Sequence, residues 1–348
     1  MYLNSAAGGS FHIWRQQFPD GAPEQVTFGP TEQEGIAVSP DGQSLVTSVG
    51  FESSAVWVHD RAGERQIAFP GLAFLPGSQR ASRTLFSPDG TKLFFLGRSA
   101  PGDLAELWVA DLNSGRTERL FPGLPVAENF DVSPDGKQIV LDSPDAKGEP
   151  HIWIASLDHR VSPHQIGSSG ESRPVFGPAG DLFFEASENG GTFLYRRAVG
   201  ETQGHKIIPN PIGLSQTISP DGEWVVTEAA VTGEDVTRGV LAYPLRGGNP
   251  KRICYGLCIV RWTLDGRFLN IGLPGESHSS SMFTTIVVPL RPGEDFPPLP
   301  TGGIKSSKDL AGVPGLKVID GLIRAGPTGS ISVEERRTVH RNIYRIPL

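Results

Sequence analysis

Apolar and polar positions alternate along this chain in short runs rich in Val, Ile, Leu and aromatic residues. Gly, Pro, Asp or Ser bounds each run, which is the pattern of short antiparallel strands joined by turns. One boundary recurs six times: an apolar residue, then Ser-Pro-Asp-Gly or an eroded copy, then a β-rich run. It reads Val38-Ser39-Pro40-Asp41-Gly42, Phe86-Ser87-Pro88-Asp89-Gly90 and Val132-Ser133-Pro134-Asp135-Gly136. It continues as Phe176-Gly177-Pro178-Ala179-Gly180, Ile218-Ser219-Pro220-Asp221-Gly222 and Trp262-Thr263-Leu264-Asp265-Gly266. The successive spacings are 48, 46, 44, 42 and 44 residues, a period that marks a stacked or radial repeat.

The phrase is turn chemistry. Pro fixes φ at the first turn position, Asp bonds locally to the backbone, and Gly accepts φ > 0. Each phrase divides a short strand a from a strand b such as Ser44–Thr47 or Lys92–Phe95. A loop then leads to strand c, which carries an aromatic in most copies: Trp57, Trp108, Trp153, Tyr195 and Tyr243. A second turn gives strand d, as in Arg65–Phe69 or Arg116–Leu120. Four short antiparallel strands per repeat form a propeller blade. The expected fold is therefore all-β, a β-propeller of four-stranded antiparallel blades. The apolar residue before each turn and the strand-c aromatic should pack between blades, since burying such rings is what each small sheet requires.

The two ends extend the count. Residues 1–28 read as strands b, c and d, with Phe18-Pro19-Asp20-Gly21 as a c–d turn. At the other end Ile323–Gly329 mimics the phrase, Ser330–Val333 reads as b and Asn342–Ile346 as c. This predicts a single domain of eight repeats with the first and last incomplete: 1–28 a partial blade, 29–290 six full blades, 291–320 a Pro/Gly-rich surface connection, and 321–348 a partial last blade. A seven-bladed ring with the C-terminal segment packed over one side is the alternative. Met1 falls at a strand-b position, so the expectation is that it is internal to a longer protein. On that reading an open seam is left where the missing strands d and a would lie.

Composition agrees. With 43 Gly and 30 Pro in 348 residues, about a fifth of the chain serves turns, which suits many strands better than helices. The net charge of −7 is spread without a basic block, which disfavours binding of nucleic acid by phosphate neutralisation. No apolar run approaches the roughly 18 residues of a membrane helix, and the N-terminus has neither the basic nor the apolar region of a signal peptide. Cys254 and Cys258 stand four apart. They are either two small buried residues or a short-loop disulfide of an oxidising compartment; a metal site would need a second pair of ligands.

The phrase together with the strand-c aromatic resembles the TolB-like, or WD40-like, β-propeller repeat of bacteria over nearly the whole chain. A narrower likeness, to the C-terminal propellers of bacterial membrane-anchored serine/threonine kinases and winged-helix regulators, rests on His12–Gly21, Gly29–Gly35 and the closing Arg341–Leu348. That resemblance implies a sensory or interaction role outside the cytoplasm. The expected partner is a protein or peptide, or a small polar ligand, and no cofactor is expected.

The chain carries no kinase motif, no Walker phosphate loop and no Gly-x-Ser-x-Gly elbow; Gly167-Ser168-Ser169-Gly170-Glu171 is the nearest approach. Its eight His are scattered, with none in a strand a, where side chains face the channel. The repeated turn Asp residues each sit on a separate blade, whereas calcium requires converging oxygens. What remains is the channel mouth, where loops from strand d into strand a deliver Glu34, Arg83, Glu128, Arg173 and Gln216 toward the axis. The reading is a non-catalytic recognition module, the alternative being a lactonase- or polysaccharide-lyase-type enzyme with a channel-bound divalent metal.

Overall fold

A computed structural model describes residues 1–5, 11–29, 31–67, 84–98, 104–126, 129–231, 236–275 and 283–347, excepting the side chains of 51–54, 215, 216 and 337. The chain begins with a three-stranded sheet of β1 (Tyr2–Ser5), β2 (His12–Arg15) and β3 (Glu24–Gln25). There follow β4 (Glu32–Val38), the 17-residue β5 (Ser44–Asp60) and β6 (Gly63–Gln66). Five four-stranded meanders come next. They are β7 (Thr84–Phe86), β8 (Lys92–Gly97), β9 (Glu106–Asp111) and β10 (Thr117–Leu120); then β11 (Phe130–Val132), β12 (Gln138–Pro144), β13 (Pro150–Ser156) and β14 (His164–Ile166). The third is β15 (Glu171–Phe176), β16 (Leu182–Glu188), β17 (Gly191–Arg197) and β18 (His205–Lys206); the fourth β19 (Ser215–Ile218), β20 (Trp224–Ala230), β21 (Arg238–Pro244) and β22 (Lys251–Cys254). The fifth is β23 (Ile259–Trp262), β24 (Phe268–Pro274), β25 (Phe283–Pro289) and β26 (Lys317–Asp320), and the chain ends with β27 (Ile323–Ala325) and β28 (Ser332–Pro347).

Chain order thus holds the eight repeats that the spacing predicts, the first without strand a and the last without strand d. Among the described residues they make seven hydrogen-bonded sheets, because the second and eighth repeats share one. Strands b and c, expected as separate runs in these two repeats, are continuous as β5 and β28. The two pair antiparallel from Ser332↔His59 to Pro347↔Ser44. The first three residues of β28, Ser332 to Glu334, pair β27, and the last part of β5 pairs β6. The order β27–β28–β5–β6 is therefore a complete blade whose a and b strands come from one end of the chain and c and d from the other. The open seam expected at this point is filled.

The cause is turn chemistry. The other b–c connections contain Pro-Gly-Asp (101–103), Asp145 to Gly148, Asn189-Gly190, Gly233 or Pro274-Gly275. The eighth repeat offers Arg336 to Arg341, with no Gly, Pro, Asn, Asp or Ser to reverse the chain, and β5 of the second repeat runs on beside it. The remaining parts of β5 and β28 lie beside β4, outside the ring, and the β1–β3 sheet leans on β4 through His12 Nδ1 and Gln33 Oε1 at 2.8 Å.

The core lies between neighbouring blades. Val56, Val58 and Val333 of the shared blade meet Leu93, Phe95 and Ala110 of the next. Analogous clusters join Phe94 to Phe130, Val140 to Phe184, Phe183 to Val225, and Val226 to Leu269. Full burial of each such side chain contributes about 1.5–3 kcal/mol. Phe86, Val132, Phe176, Ile218 and Trp262, the residues before the turns, pack against these clusters, as do Trp108, Trp153, Tyr195 and Tyr243. Val38 departs from the expectation at 52% exposure, because its strand lies outside the ring. The 291–320 connection is also not a plain surface loop. Phe296, Ile304 and Leu310 are buried against the preceding blades, and Ser307–Leu310 forms one 3₁₀ turn.

Candidate functional site: the central cavity

The Ser-Pro-Asp-Gly turns build the closed end of the site. In each, the Ser or Thr hydroxyl donates to the Asp carboxylate, as from Ser133 to Asp135 at 2.6 Å and from Thr263 to Asp265 at 2.6 Å. The same carboxylate accepts a backbone N–H two residues on, from Lys137 at 3.0 Å and Arg267 at 3.1 Å. The hydroxyl donors hold Asp41, Asp89 and Asp135 below the usual carboxylate range. These oxygens serve their own turns, so the repeated Asp is structural. The Pro of one turn also packs on the Gly of the next. A Cβ on Gly136 would lie 3.5 Å from Pro88 Cδ, on Gly90 3.6 Å from Pro327 Cδ, and on Gly222 3.0 Å from Pro178 Cγ.

Above this floor of Pro88, Pro134, Pro178, Pro220, Leu264 and Pro327, the a strands β7, β11, β15, β19, β23 and β27 enclose a cavity of about 410 Å³, within the size range of small-ligand sites. Leu85, Phe86, Val132, Phe176 and Ile218 line one side, with Thr84, Asp131 and Thr217 among them. On the other side Arg261 of β23, Asn270 of β24 and Arg324 of β27 line the space. Arg261 and Asn270 stand directly opposite in the β23–β24 register.

Arg324 is enclosed by the ring, yet it keeps some accessible surface because that surface faces the cavity. Burial pushes its guanidinium below its ordinary value, opposed by the charge of Glu335. Asn270 is 5% exposed, and its Oδ1 is buried without a hydrogen-bond partner. Across the cavity Asp131 Oδ2 accepts the Phe176 N–H at 2.8 Å.

Of the five channel-mouth residues expected from the sequence, Arg83 and Glu128 lie outside the described residues, as does the side chain of Gln216. Arg173 sits at a β-bulge near the start of β15 with φ 52°. Its N–H donates to Asp142 Oδ2 at 2.9 Å, and its Nε is 3.8 Å from Glu185. Glu34 lies on β4, away from the cavity, and takes a hydrogen bond from Arg341 at 3.1 Å. The structure therefore does not gather Glu34 and Arg173 at one mouth. Sequence reasoning missed Arg261, Asn270 and Arg324. Their signal was a polar residue inside an otherwise apolar a or b strand.

Cys254 and Cys258 form a disulfide that tethers the end of β22. Among the described residues no three His, Cys, Asp or Glu side chains cluster in a metal-binding arrangement, and no helix is long and apolar enough to cross a membrane.

The architecture is that of a β-propeller similar in fold to TolB. TolB from Acinetobacter baumannii superposes with a TM-score of 0.52 at 14% identity, covering 90% of this chain and 62% of that one. The putative TolB from Agrobacterium tumefaciens gives 0.56 at 14% identity, covering 83% and 99%. Oligogalacturonate lyase from Vibrio parahaemolyticus gives 0.46 at 11% identity, covering 78% and 82%. This chain thus spans less than two thirds of the Acinetobacter protein. No protein-family model and no curated protein matches the chain.

Proposed function

We propose that this propeller is a non-catalytic recognition module, the sensory or interaction part of a larger bacterial receptor-like protein, and that it binds its ligand in the central cavity. The observation that carries the reading is the central cavity of about 410 Å³, lined mostly by apolar side chains with a few charged and polar groups, Asp131, Arg261, Asn270 and Arg324, among them. A concave site with a few convergent polar groups orients a ligand, while the apolar lining supplies affinity. The likeness to the propellers of membrane-anchored kinases and winged-helix regulators fits a sensory role outside the cytoplasm, as does the disulfide.

The test is to fill the cavity. Thr217 lines it, and Thr217→Trp would occupy much of the space. Small molecules and proteins retained by the purified chain should be captured by the wild type and lost by this variant, with thermal unfolding as the check on folding. Equal capture by both proteins would refute the cavity as the recognition site.

A further inference from the structure

We propose that Asp295 is a pH-operated latch. A proton held between its carboxyl and that of Asp221 pins the 291–299 arm of the connection against the ring, and loss of that proton frees the arm and the Trp262 indole. The latch does not depend on what the cavity binds.

Its geometry joins the arm to two blades. Trp224 Nε1–H, at the start of β20, donates to Asp295 Oδ2 at 2.9 Å. Trp262 Nε1–H, at the end of β23, donates to the Asp295 carbonyl oxygen at 2.8 Å. The next residue, Phe296, meets both indoles edge-on, with ring centroids 5.2 and 5.4 Å away. Trp262 also lines the cavity, so its indole links the arm to that wall. Farther along, Ile304 exchanges backbone hydrogen bonds with Ile253 and Tyr255 at 2.8 and 3.0 Å. That anchor holds the rest of the connection in either state of Asp295.

The charges facing Asp295 set the sign. Asp221, in the β19–β20 turn, meets it carboxyl to carboxyl. Asp221 Oδ1 accepts the Ser219 hydroxyl and the Glu223 N–H, which fix that carboxylate in place. Lys251 of β22 is the facing cation, its Nζ 4.5 Å from the Trp224 ring and 5.3 Å from that of Phe296. Glu223 pairs with Arg246 at 2.6 Å, and Glu294 on the arm with Arg291 at 3.8 Å. Two carboxylates in contact repel, whereas one proton between them makes a hydrogen bond. Burial and the Asp221 charge push the Asp295 carboxyl above its ordinary value, opposed by the Trp224 hydrogen bond and Lys251. Docking is therefore strongest below the unfolded pKa of about 3.9 and is lost as pH rises through the raised folded value. The turn carboxylates Asp89 and Asp135 shift the other way.

Heteronuclear NMR of the indole N–H groups in the full chain tests this, since each of the six Trp gives one signal. The signals of Trp224 and Trp262 should move together through one apparent pKa above the ordinary carboxylate range. Above that step both should exchange with water several-fold faster. Asp295→Asn, which carries no charge at any pH, should hold both signals fixed. Asp221→Asn should bring the step down toward the ordinary carboxylate value. Two indoles that do not titrate between about pH 3.5 and 8, or that titrate only in the ordinary carboxylate range, overturn the proposal. So does a step that survives Asp295→Asn, or one that Asp221→Asn leaves in place. The wild-type titration decides even where a variant fails to fold.

Discussion

Gly50 of β5 lies directly opposite Arg341 of β28, so close that a Cβ on Gly50 would come within 2.0 Å of the His340 carbonyl oxygen. The contact is with backbone, and no rotamer change relieves it. The long β5–β28 pairing that completes the ring thus depends on a missing side chain. Gly50→Ala should lower unfolding stability by at least about 2 kcal/mol, in the range of changes that force backbone displacement. Urea unfolding of variant and wild type measures this. An unchanged midpoint would mean that β5 and β28 do not pair through this point.

The Pro-on-Gly contact between turns predicts a graded series. Gly42 and Gly222 occupy the same turn position with φ of 70° and 75°. A Cβ on Gly42 meets nothing within 4 Å, whereas on Gly222 it would stand 3.0 Å from Pro178. Gly42→Ala should cost only the left-handed backbone penalty of about 1–2 kcal/mol. Gly222→Ala should cost more, because Pro178 must move as well. Equal losses would show that the turns do not support one another around the axis.

The parts of this architecture legible in the sequence are those set by local chemistry. The Asp135 turn needs only Ser133, Gly136 and the Lys137 N–H, all within five residues. Blade strands follow from such turns, and so does the repeat count. Pairing Val333 with Val58 is different, since 275 residues separate them and no local preference encodes a partner. The absence of Gly, Pro, Asn, Asp and Ser between Arg336 and Arg341 was the readable hint that b and c run on as one strand. Once they do, β4 leaves the ring and carries Glu34 away from the axis. Arg261 and Arg324 were visible as charges inside apolar runs, but only the closed ring shows that both line one cavity.

Acid should probe the turns. Asp89 and Asp135 are held below the usual carboxylate range, chiefly by the hydroxyls of Ser87 and Ser133. A carboxyl whose folded pKa is depressed adds stability above its unfolded pKa of about 3.9 and loses it as pH falls through the folded value. Both groups are largely solvated, so each contributes little alone. The combined Asp89→Asn, Asp135→Asn variant should show a shallower fall in stability below about pH 4 than the wild type. Parallel curves from urea titrations at several pH values would remove these residues from the acid response.

The Cys254–Cys258 bridge closes a loop with a sequence separation of four. Loop-closure entropy for so short a ring is worth about 2 kcal/mol, less than for long loops. Both cysteines are buried, at 1% and 4% exposure, in the cluster that joins β22 to Ile304 and Leu310. Reduction should therefore be slow in the folded protein and should loosen the docked 291–320 connection before the ring itself. Cys254→Ala with Cys258→Ala should lower stability by about 2 kcal/mol while leaving any ligand affinity of the cavity unchanged, since neither residue lines it. Alkylation in denaturant followed by intact mass gives the direct check: no thiol should react before reduction and two after it. Two reactive thiols without reductant would show that the bridge does not form, and the stability difference should then vanish with it.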